Sequence, residues 1–121
     1  MQNVVYNTIL YRFIASSHLD GSILNLLTAV DIPEGAVVSI NSSGLAILAT
    51  ASTVPVGVAR FARKAGTMLA IDNDCIIENK ATSLALTPGT NVFAGAAGIV
   101  AGSGTNIVGY ALTANKIKIS L

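Results

Sequence analysis

Two stretches of the chain begin alike: Pro33-Glu34-Gly35-Ala36-Val37-Val38 and Pro88-Gly89-Thr90-Asn91-Val92-Phe93. In each, a proline and a glycine precede a run rich in β-branched or aromatic residues, as where a turn leads into a strand. A second glycine follows nine residues after the turn glycine in both, at Gly44 and at Gly98. The sequence therefore predicts that one β-structural unit occurs twice.

Further matching landmarks follow in the same order. Each copy contains a Val-Gly segment and closes on an alternating strand: Val56-Gly57-Val58-Ala59 and Leu69-Ala70-Ile71 in the first, Val108-Gly109-Tyr110-Ala111 and Ile117-Lys118-Ile119-Ser120-Leu121 in the second. A glycine inside a strand weakens it, so Gly57 and Gly109 are expected to mark a bulge, a barrel corner or a close backbone approach. The copies span about 31–71 and about 86–121.

The pattern from Asp31 onward predicts the fold class. Short strands alternate with turn signals about every ten residues, which is typical of a sandwich or a barrel. No window shows a 3.6-residue period. We therefore expect an all-β domain over residues 31–121, a β-sandwich or barrel built from two copies of a short four-strand meander.

The first thirty residues follow a different pattern. They are apolar from Asn3 to Ile14, reach a loop at Ser16–Gly21 and become apolar again from Ile23 to Val30, with no clean period. Such segments are strands, or an arm that is extended because a neighbour binds it. We expect residues 1–30 to form an extended N-terminal arm or edge strands that dock onto another subunit. The candidate capsid or subunit contacts are Tyr6, Ile9, Tyr11, Phe13 and Ile14.

Composition restricts the partners. Hydrophobic residues make up 52% of the 121 residues, charged residues only 11%, and the formal net charge is +1. This excludes intrinsic disorder and gives no long-range attraction to nucleic acid or acidic membranes. With so few charges, the exterior must consist of small polar residues or be covered by a partner. An obligate homo-oligomer is the favoured interpretation, and a single domain with a Ser/Thr/Asn surface is the alternative.

Membrane association is not expected. Two uncharged stretches, 35–59 and 81–115, are long enough to span a bilayer, but turn residues interrupt both. The N-terminus lacks the basic start and unbroken apolar run of a signal peptide. The sequence predicts a soluble protein made in the cytoplasm.

Catalytic chemistry is not indicated either. The only histidine, His18, lies beside Ser16, Ser17 and Asp20 in one loop, and residues this close along the chain rarely reach triad geometry. Cys75 lies beside carboxylates that raise a thiol pKa, and we interpret it as a small buried residue. No catalytic residue is predicted, and the protein is not expected to be an enzyme.

The sequence evidence for a metal site or a cofactor site is equally weak. The acidic cluster Asp72, Asp74 and Glu78 lacks the glycine and further oxygen ligands of a calcium loop, and a turn after the strand ending at Ile71 explains it as well. The glycine-rich run 95–104 has no following lysine and opens no helix, so it fails as a phosphate loop. We predict no metal and no cofactor. A basic group, Arg60, Arg63 and Lys64 around Phe61, is interpreted as a solvated surface.

The order of these landmarks resembles the small capsid decoration, or cement, proteins of tailed bacteriophages. The residues that carry the resemblance are the turn glycines, the Val-Gly-Val-Ala segment, the charged turn at Gly66, and a second copy ending in Gly-Tyr-Ala-Leu and Ile-Lys-Ile-Ser-Leu. It covers about 31–121, three quarters of the chain. The N-terminal segment departs from the family's commonest pattern, which begins almost directly with the repeat.

The resemblance implies a structural protein that binds the outer surface of a phage capsid and bridges capsid subunits. Its partner would be the major capsid protein, and it would act as a trimer on the virion after synthesis in the host bacterial cytoplasm. The family has no catalytic residues to carry over. The alternatives are another virion module, such as a head fibre or a tail or spike base, and a small ligand-binding β-domain.

Overall fold

The computed structural model describes residues 11–16, 24–79 and 85–121, which form two β-sheets and one short 3₁₀ turn, Ala96–Gly98. The all-β prediction is confirmed, and the two antiparallel sheets are consistent with a β-sandwich. The strands are β1 (Tyr11–Ser16), β2 (Leu24–Leu27), β3 (Val37–Ile40), β4 (Ala46–Leu48), β5 (Gly57–Ala59), β6 (Met68–Asp72), β7 (Asp74–Asn79), β8 (Asn91–Ala94), β9 (Val100–Ala101), β10 (Ile107–Ala111) and β11 (Lys116–Ser120).

The four strands of the first copy and the four of the second share one strand order, β6-β5-β3-β4 and β11-β10-β8-β9. The five-stranded sheet runs β2-β6-β5-β3-β4, and the six-stranded sheet runs β1-β7-β11-β10-β8-β9. Strands of the first sequence copy all lie in the five-stranded sheet, and those of the second all lie in the six-stranded one. The order is not a simple meander, because β3 lies between β4 and β5 and β8 lies between β9 and β10.

Matched residues make matched hydrogen bonds. The Gly35 N–H donates to the Ala59 carbonyl at 2.7 Å, and the Gly89 N–H donates to the Ala111 carbonyl at 2.8 Å. Both glycines adopt positive φ, 76° and 85°, which an L side chain rarely tolerates. The chain therefore passes from turn to strand with the same geometry in both halves.

One strand differs from the sequence prediction. The acidic cluster was expected to be a turn, but its last two members lie on β7, which pairs with both β1 and β11. Along β7 the side chains of Cys75, Ile77 and Asn79 are buried, and those of Asp74 and Glu78 are partly exposed. This alternation is typical of a strand with one buried face. The carboxylates at its exposed positions made the segment resemble a turn in the sequence.

The apolar interior is divided into two clusters. The larger joins the inner face of the six-stranded sheet, including Ile77, Ile117 and Val108, to Val37 and Val58 of the five-stranded sheet. The smaller belongs to the five-stranded sheet and its loops. Its buried members are Ile32, Ala36, Val38, Ala46, Ala59, Leu69 and Ile71. The first cluster therefore holds the sheets together, and the second supports one sheet from its other side.

In both sheets the two ends of the strand order are linked. Thr28, just after β2, forms a parallel bridge with Ala46 on β4, and the Ala29 N–H donates to the Ala46 carbonyl at 2.9 Å. In the six-stranded sheet the link is a side chain: the Val100 N–H on β9 donates to the Tyr11 hydroxyl on β1 at 3.0 Å. These links occupy edge groups that would otherwise template strand pairing with other chains.

The strand glycines lie where two backbones come close together. A Cβ on Gly57 would lie 2.7 Å from the Asp72 carbonyl oxygen, and a Cβ on Gly109 would overlap the carbonyl oxygen of Lys118. In addition, the register of β10 against β8 shifts between Ile107 and Gly109. The expectation of a close approach or bulge at both positions is confirmed.

Candidate interaction surfaces

Tyr11 lies in the core. Only 4% of it is exposed, and its ring packs in the cluster that joins the sheets. Burial raises the pKa of its hydroxyl, and the hydrogen bond from Val100 opposes this. Its role is therefore packing and sheet closure within its own chain, which leaves little of the ring for a partner.

Phe13 is half-buried and joins the two sheets. The Arg60 guanidinium lies 4.9 Å from the centre of its ring, and its N–H donates to Glu34 Oε2 at 2.8 Å. Arg60 and Glu34 both belong to the five-stranded half, whereas Phe13 is on β1. The Glu34 carboxylate thus accepts a hydrogen bond from the edge of β1 and links this strand to the five-stranded half.

Ile14 is the exposed member of the described candidates. The register of β1 against β7 shifts between Phe13 and Ala15, so Ile14 occupies a bulge and is 42% exposed. Tyr6 and Ile9 lie outside the described residues. The predicted docking of this segment stays a prediction, and among the described candidates Ile14 offers it the most accessible side chain.

A charged cluster lies where the two sheets meet. Asp72 is fully buried, with Arg60 Nε at 3.9 Å from its Oδ2, and its Oδ1 accepts from the Asp74 N–H at 3.0 Å. Asp74 in turn accepts from Lys118 Nζ, and this hydrogen bond raises the lysine pKa. Each carboxylate faces a cation, which is the arrangement of a structural network.

Cys75 lies beside this cluster and is buried. Burial raises the pKa of its thiol, and Asp72 and Asp74 raise it further. The predicted direction of this shift is confirmed, with burial as its larger cause. The thiol stays protonated near neutral pH and is a poor nucleophile there.

Within 11–16, 24–79 and 85–121, no group of three or more His, Cys, Asp or Glu residues is arranged to hold a metal ion. His18 and Asp20 lie outside those ranges. No helix in the described part of the chain is long and apolar enough to cross a membrane.

The outer face of the six-stranded sheet is charged. Arg12 and Lys116 flank Glu78 from the neighbouring strands β1 and β11, and Arg12 Nε lies 3.6 Å from Glu78 Oε1. One step along, Lys118 stands opposite the exposed Tyr110. These cross-strand pairs partly neutralise one another on β1, β7 and β11, whereas Ile107 and Tyr110 on β10 are exposed apolar side chains.

A contrasting surface lies on the five-stranded half. Leu27 on β2 and Met68 on β6 are cross-strand partners, and both are about half exposed. Arg63 Nε donates to the Met68 carbonyl at 3.2 Å, and its guanidinium lies 5.0 Å from the centre of the exposed Phe61 ring. We call Leu27, Phe61, Arg63 and Met68 the Phe61 surface.

Sequence reasoning missed the Phe61 surface. Phe61 and Arg63 were assigned to a solvated turn, and their neighbours Leu27 and Met68 were not singled out. Leu27 and Met68 meet only through the pairing of β2 with β6. Their shared position depends on register, which a single sequence does not specify.

No family model matches the sequence, and no curated protein matches it either. The molecule is therefore placed by its own architecture, as an all-β protein of two antiparallel sheets with one charged outer face and one apolar surface.

Proposed function

We propose that this protein is a capsid decoration protein of a tailed bacteriophage, which binds the outer surface of the shell and stabilises it by bridging capsid subunits. The observation that carries the proposal is the exposed apolar surface of a charge-poor β-protein. Among the described residues, 12 large hydrophobic side chains are exposed, including Val54, Phe61 and Met68. Where such side chains lie together, as Leu27 and Met68 do across β2 and β6, they favour contact with a protein partner.

The chemistry of the described residues also supports a structural role. Among the described residues, the buried ionisable groups are Tyr11, Asp72 and Cys75, and each has internal contacts. Tyr11 accepts from the Val100 N–H, Asp72 accepts from the Asp74 N–H, and Cys75 packs in the core. The charged residues on β1, β7 and β11 of the six-stranded sheet suit a side that faces solvent. Together these features favour a protein that acts through surface contacts with other proteins.

The proposed mechanism is multivalent bridging. Each contact with a capsid subunit is weak, but several contacts exist at once only on the assembled lattice, so the effective affinity there is high. Binding the assembled form in preference to separate subunits raises the free energy needed to separate them. We expect a trimer with the major capsid protein as its partner.

The test is co-sedimentation of the purified protein with phage heads assembled without it. We expect saturable binding to expanded heads, no binding to dissociated capsid subunits, and a higher temperature of head disruption in the bound state. Light scattering of the free protein should give about three chain masses. Failure to bind heads, or localisation to the tail in whole virions, would contradict the proposal.

A further inference from the structure

The described strands form two copies of a five-strand unit and one strand more. Strands β2 to β6 lie in the order β2-β6-β5-β3-β4, and strands β7 to β11 lie in the matching order β7-β11-β10-β8-β9. β2 and β7 therefore hold equivalent positions at the edge of their units. The additional strand, β1, pairs with the outer edge of β7, whereas no strand within the described ranges pairs with the outer edge of β2.

Equivalent residues on the two edge strands differ in exposure. Leu24 on β2 stands opposite Ile71, and Ile77 on β7 stands opposite Ile117. The two opposing isoleucines are equivalent, because each also pairs with the alanine that closes its Val-Gly segment. Ile77 is fully buried and has Phe13 of β1 on its other side, whereas Leu24 is 43% exposed. β2 thus exposes an apolar side chain at the position that β1 covers on β7.

The backbone of β2 also presents hydrogen-bonding groups on its outer side. The Thr28 N–H donates to the Thr67 carbonyl, toward β6. Because these directions alternate along a strand, the N–H and C=O groups of Asn25 and Leu27 point away from β6. Neither residue makes an outward backbone hydrogen bond to another described residue. β2 has no charged residue and no proline, which commonly protect an edge, so its edge is open to a further strand.

The sequence before β1 repeats the pattern of β1. Val5-Tyr6-Asn7-Thr8-Ile9 is followed directly by Leu10-Tyr11-Arg12-Phe13-Ile14. In both runs an aliphatic residue precedes tyrosine, a polar residue, a residue that favours strands, and isoleucine. The first run lies outside the described residues. If it pairs with β2 as the second run pairs with β7, Thr8 stands opposite Leu24, as Phe13 stands opposite Ile77.

In this register a chain does not reach its own β2. Tyr11 lies directly against Gly35, which leaves no room there for a Cβ. Gly35 lies on the β3 side of β5, where its N–H donates to the Ala59 carbonyl. A strand outside β2 is four strand spacings from that position, or about 19 Å. The three residues from Thr8 to Tyr11 span at most about 11 Å. The strand beside β2 therefore comes from another molecule.

We infer that residues 5–8 of a second copy of this chain add to β2 as an antiparallel strand, so that the outer edge of β2 is a contact between copies. The contact joins two unlike surfaces, and such contacts close into a ring when the rotation between copies allows it. The trimer expected from the sequence is a ring of this kind. This inference does not depend on capsid binding, and it assigns the contact that assembles the free protein.

A cysteine pair tests the contact. Asn7 and Asn25 stand opposite each other in this register, and Asn25 is exposed. The double variant Asn7→Cys/Asn25→Cys is oxidised and separated on a denaturing gel without reductant. We expect covalent multimers that form at least about tenfold faster than in the control Asn7→Cys/Leu112→Cys, whose second cysteine is exposed elsewhere. The native Cys75 is buried and does not compete.

A backbone variant tests the same edge without new cysteines. Asn25→Pro removes an outward N–H that bonds no described residue, so the fold should tolerate it, which circular dichroism checks. We expect the dissociation constant of the oligomer, measured by light scattering over a range of concentrations, to rise about tenfold or more. Val54→Ser, which changes an exposed residue away from β2, should leave that constant within about twofold.

The contrary results are distinguishable. A disulfide within single chains of the double variant would show that the segment pairs with its own β2, and cross-linking no faster than in the control would exclude the β2 edge. A mass of one chain for the original protein at every concentration, or unchanged association of folded Asn25→Pro, would also overturn the inference. None of these results concerns heads, so the proposed function is judged separately by co-sedimentation.

Discussion

Cys75 shows how burial and charge act together on one residue. Its thiol is enclosed by the core and lies near Asp72 and Asp74, and all three influences raise its pKa. We expect the native protein to resist iodoacetamide at pH 8, because the reactive thiolate is scarce and inaccessible. The same reagent should label the urea-unfolded chain rapidly. Mass spectrometry after timed quenching measures both, and rapid labelling of the native protein would contradict the assignment.

Gly109 and Gly44 illustrate two different reasons why glycine occupies a position in a strand or a turn. Gly44 has a φ of 81° with open space around its Cβ position, so Gly44→Ala should cost about 1–2 kcal/mol of backbone strain. In Gly109→Ala the new methyl group would overlap the Lys118 carbonyl and push β10 from β11, costing about 3 kcal/mol or more. Urea unfolding of both variants measures the difference. Equal losses would mean that β10 and β11 separate easily.

For single residues, several predictions from the sequence are correct. The close approach at Gly57 and Gly109 and the raised pKa of Cys75 follow from residue type and immediate neighbours. The burial of Tyr11 does not. Its hydroxyl meets a backbone group 89 positions away along the chain, and no local pattern reports such a contact.

Strand β1 is held partly by one hydroxyl, which a pair of conservative variants can test. Tyr11→Phe removes the acceptor of the Val100 N–H and leaves that group unsatisfied, so we expect a loss of about 1–3 kcal/mol. Tyr110→Phe, the matched control, alters an exposed ring on β10 and should change stability by less than about 0.5 kcal/mol. Urea denaturation followed by circular dichroism compares them. Equal stability of the two variants would show that the hydroxyl contributes nothing to closing the sheet.

The hydrogen bond from Lys118 on β11 to Asp74 on β7 predicts that the stability of the protein depends on pH in the alkaline range. Lys118 has a pKa above its ordinary 10.5 in the folded protein, chiefly because it donates to Asp74. A raised folded pKa gives stability that is present below the unfolded pKa and is lost as pH rises through the folded value. Above about pH 10.5 the melting temperature should therefore fall more steeply in the original protein than in Lys118→Gln. Tyr11 and Cys75, whose pKa values are also raised, add to the fall in both proteins, and Cys75 does so from about pH 9 upward.

The strands were predictable to different degrees. Those of the two copies carry turn glycines and β-branched runs, and the structure places them close to the expected positions. The sequence predicts a turn where β7 lies, because Asp74 and Glu78 are residues typical of loops. They are tolerated on a strand because they point outward and face Lys118 and Arg12. Strand order is a long-range property, so the position of β3 between β4 and β5 was not predicted.

For the whole molecule, two deletions separate docking from folding. Removing residues 1–16 takes away β1, the Tyr11 link and the Phe13 contacts with Glu34 and Arg60, so the melting temperature should fall sharply. Removing residues 1–10 leaves every one of these contacts in place. We expect the shorter deletion to keep its melting temperature and to lose binding to heads. Full head binding by that protein would contradict the docking role of the segment.

The strand order that the two copies share has a consequence for the exterior of the molecule. A chain made of two like halves can keep one core design while the two exteriors diverge, because exterior residues are less constrained by packing. Here one half carries the row Arg12, Glu78 and Lys116 on its outer face, and the other carries Leu27 and Met68. Two copies of one strand pattern within a single chain thus give a small protein two unlike sides, which one copy repeated by symmetry could not provide.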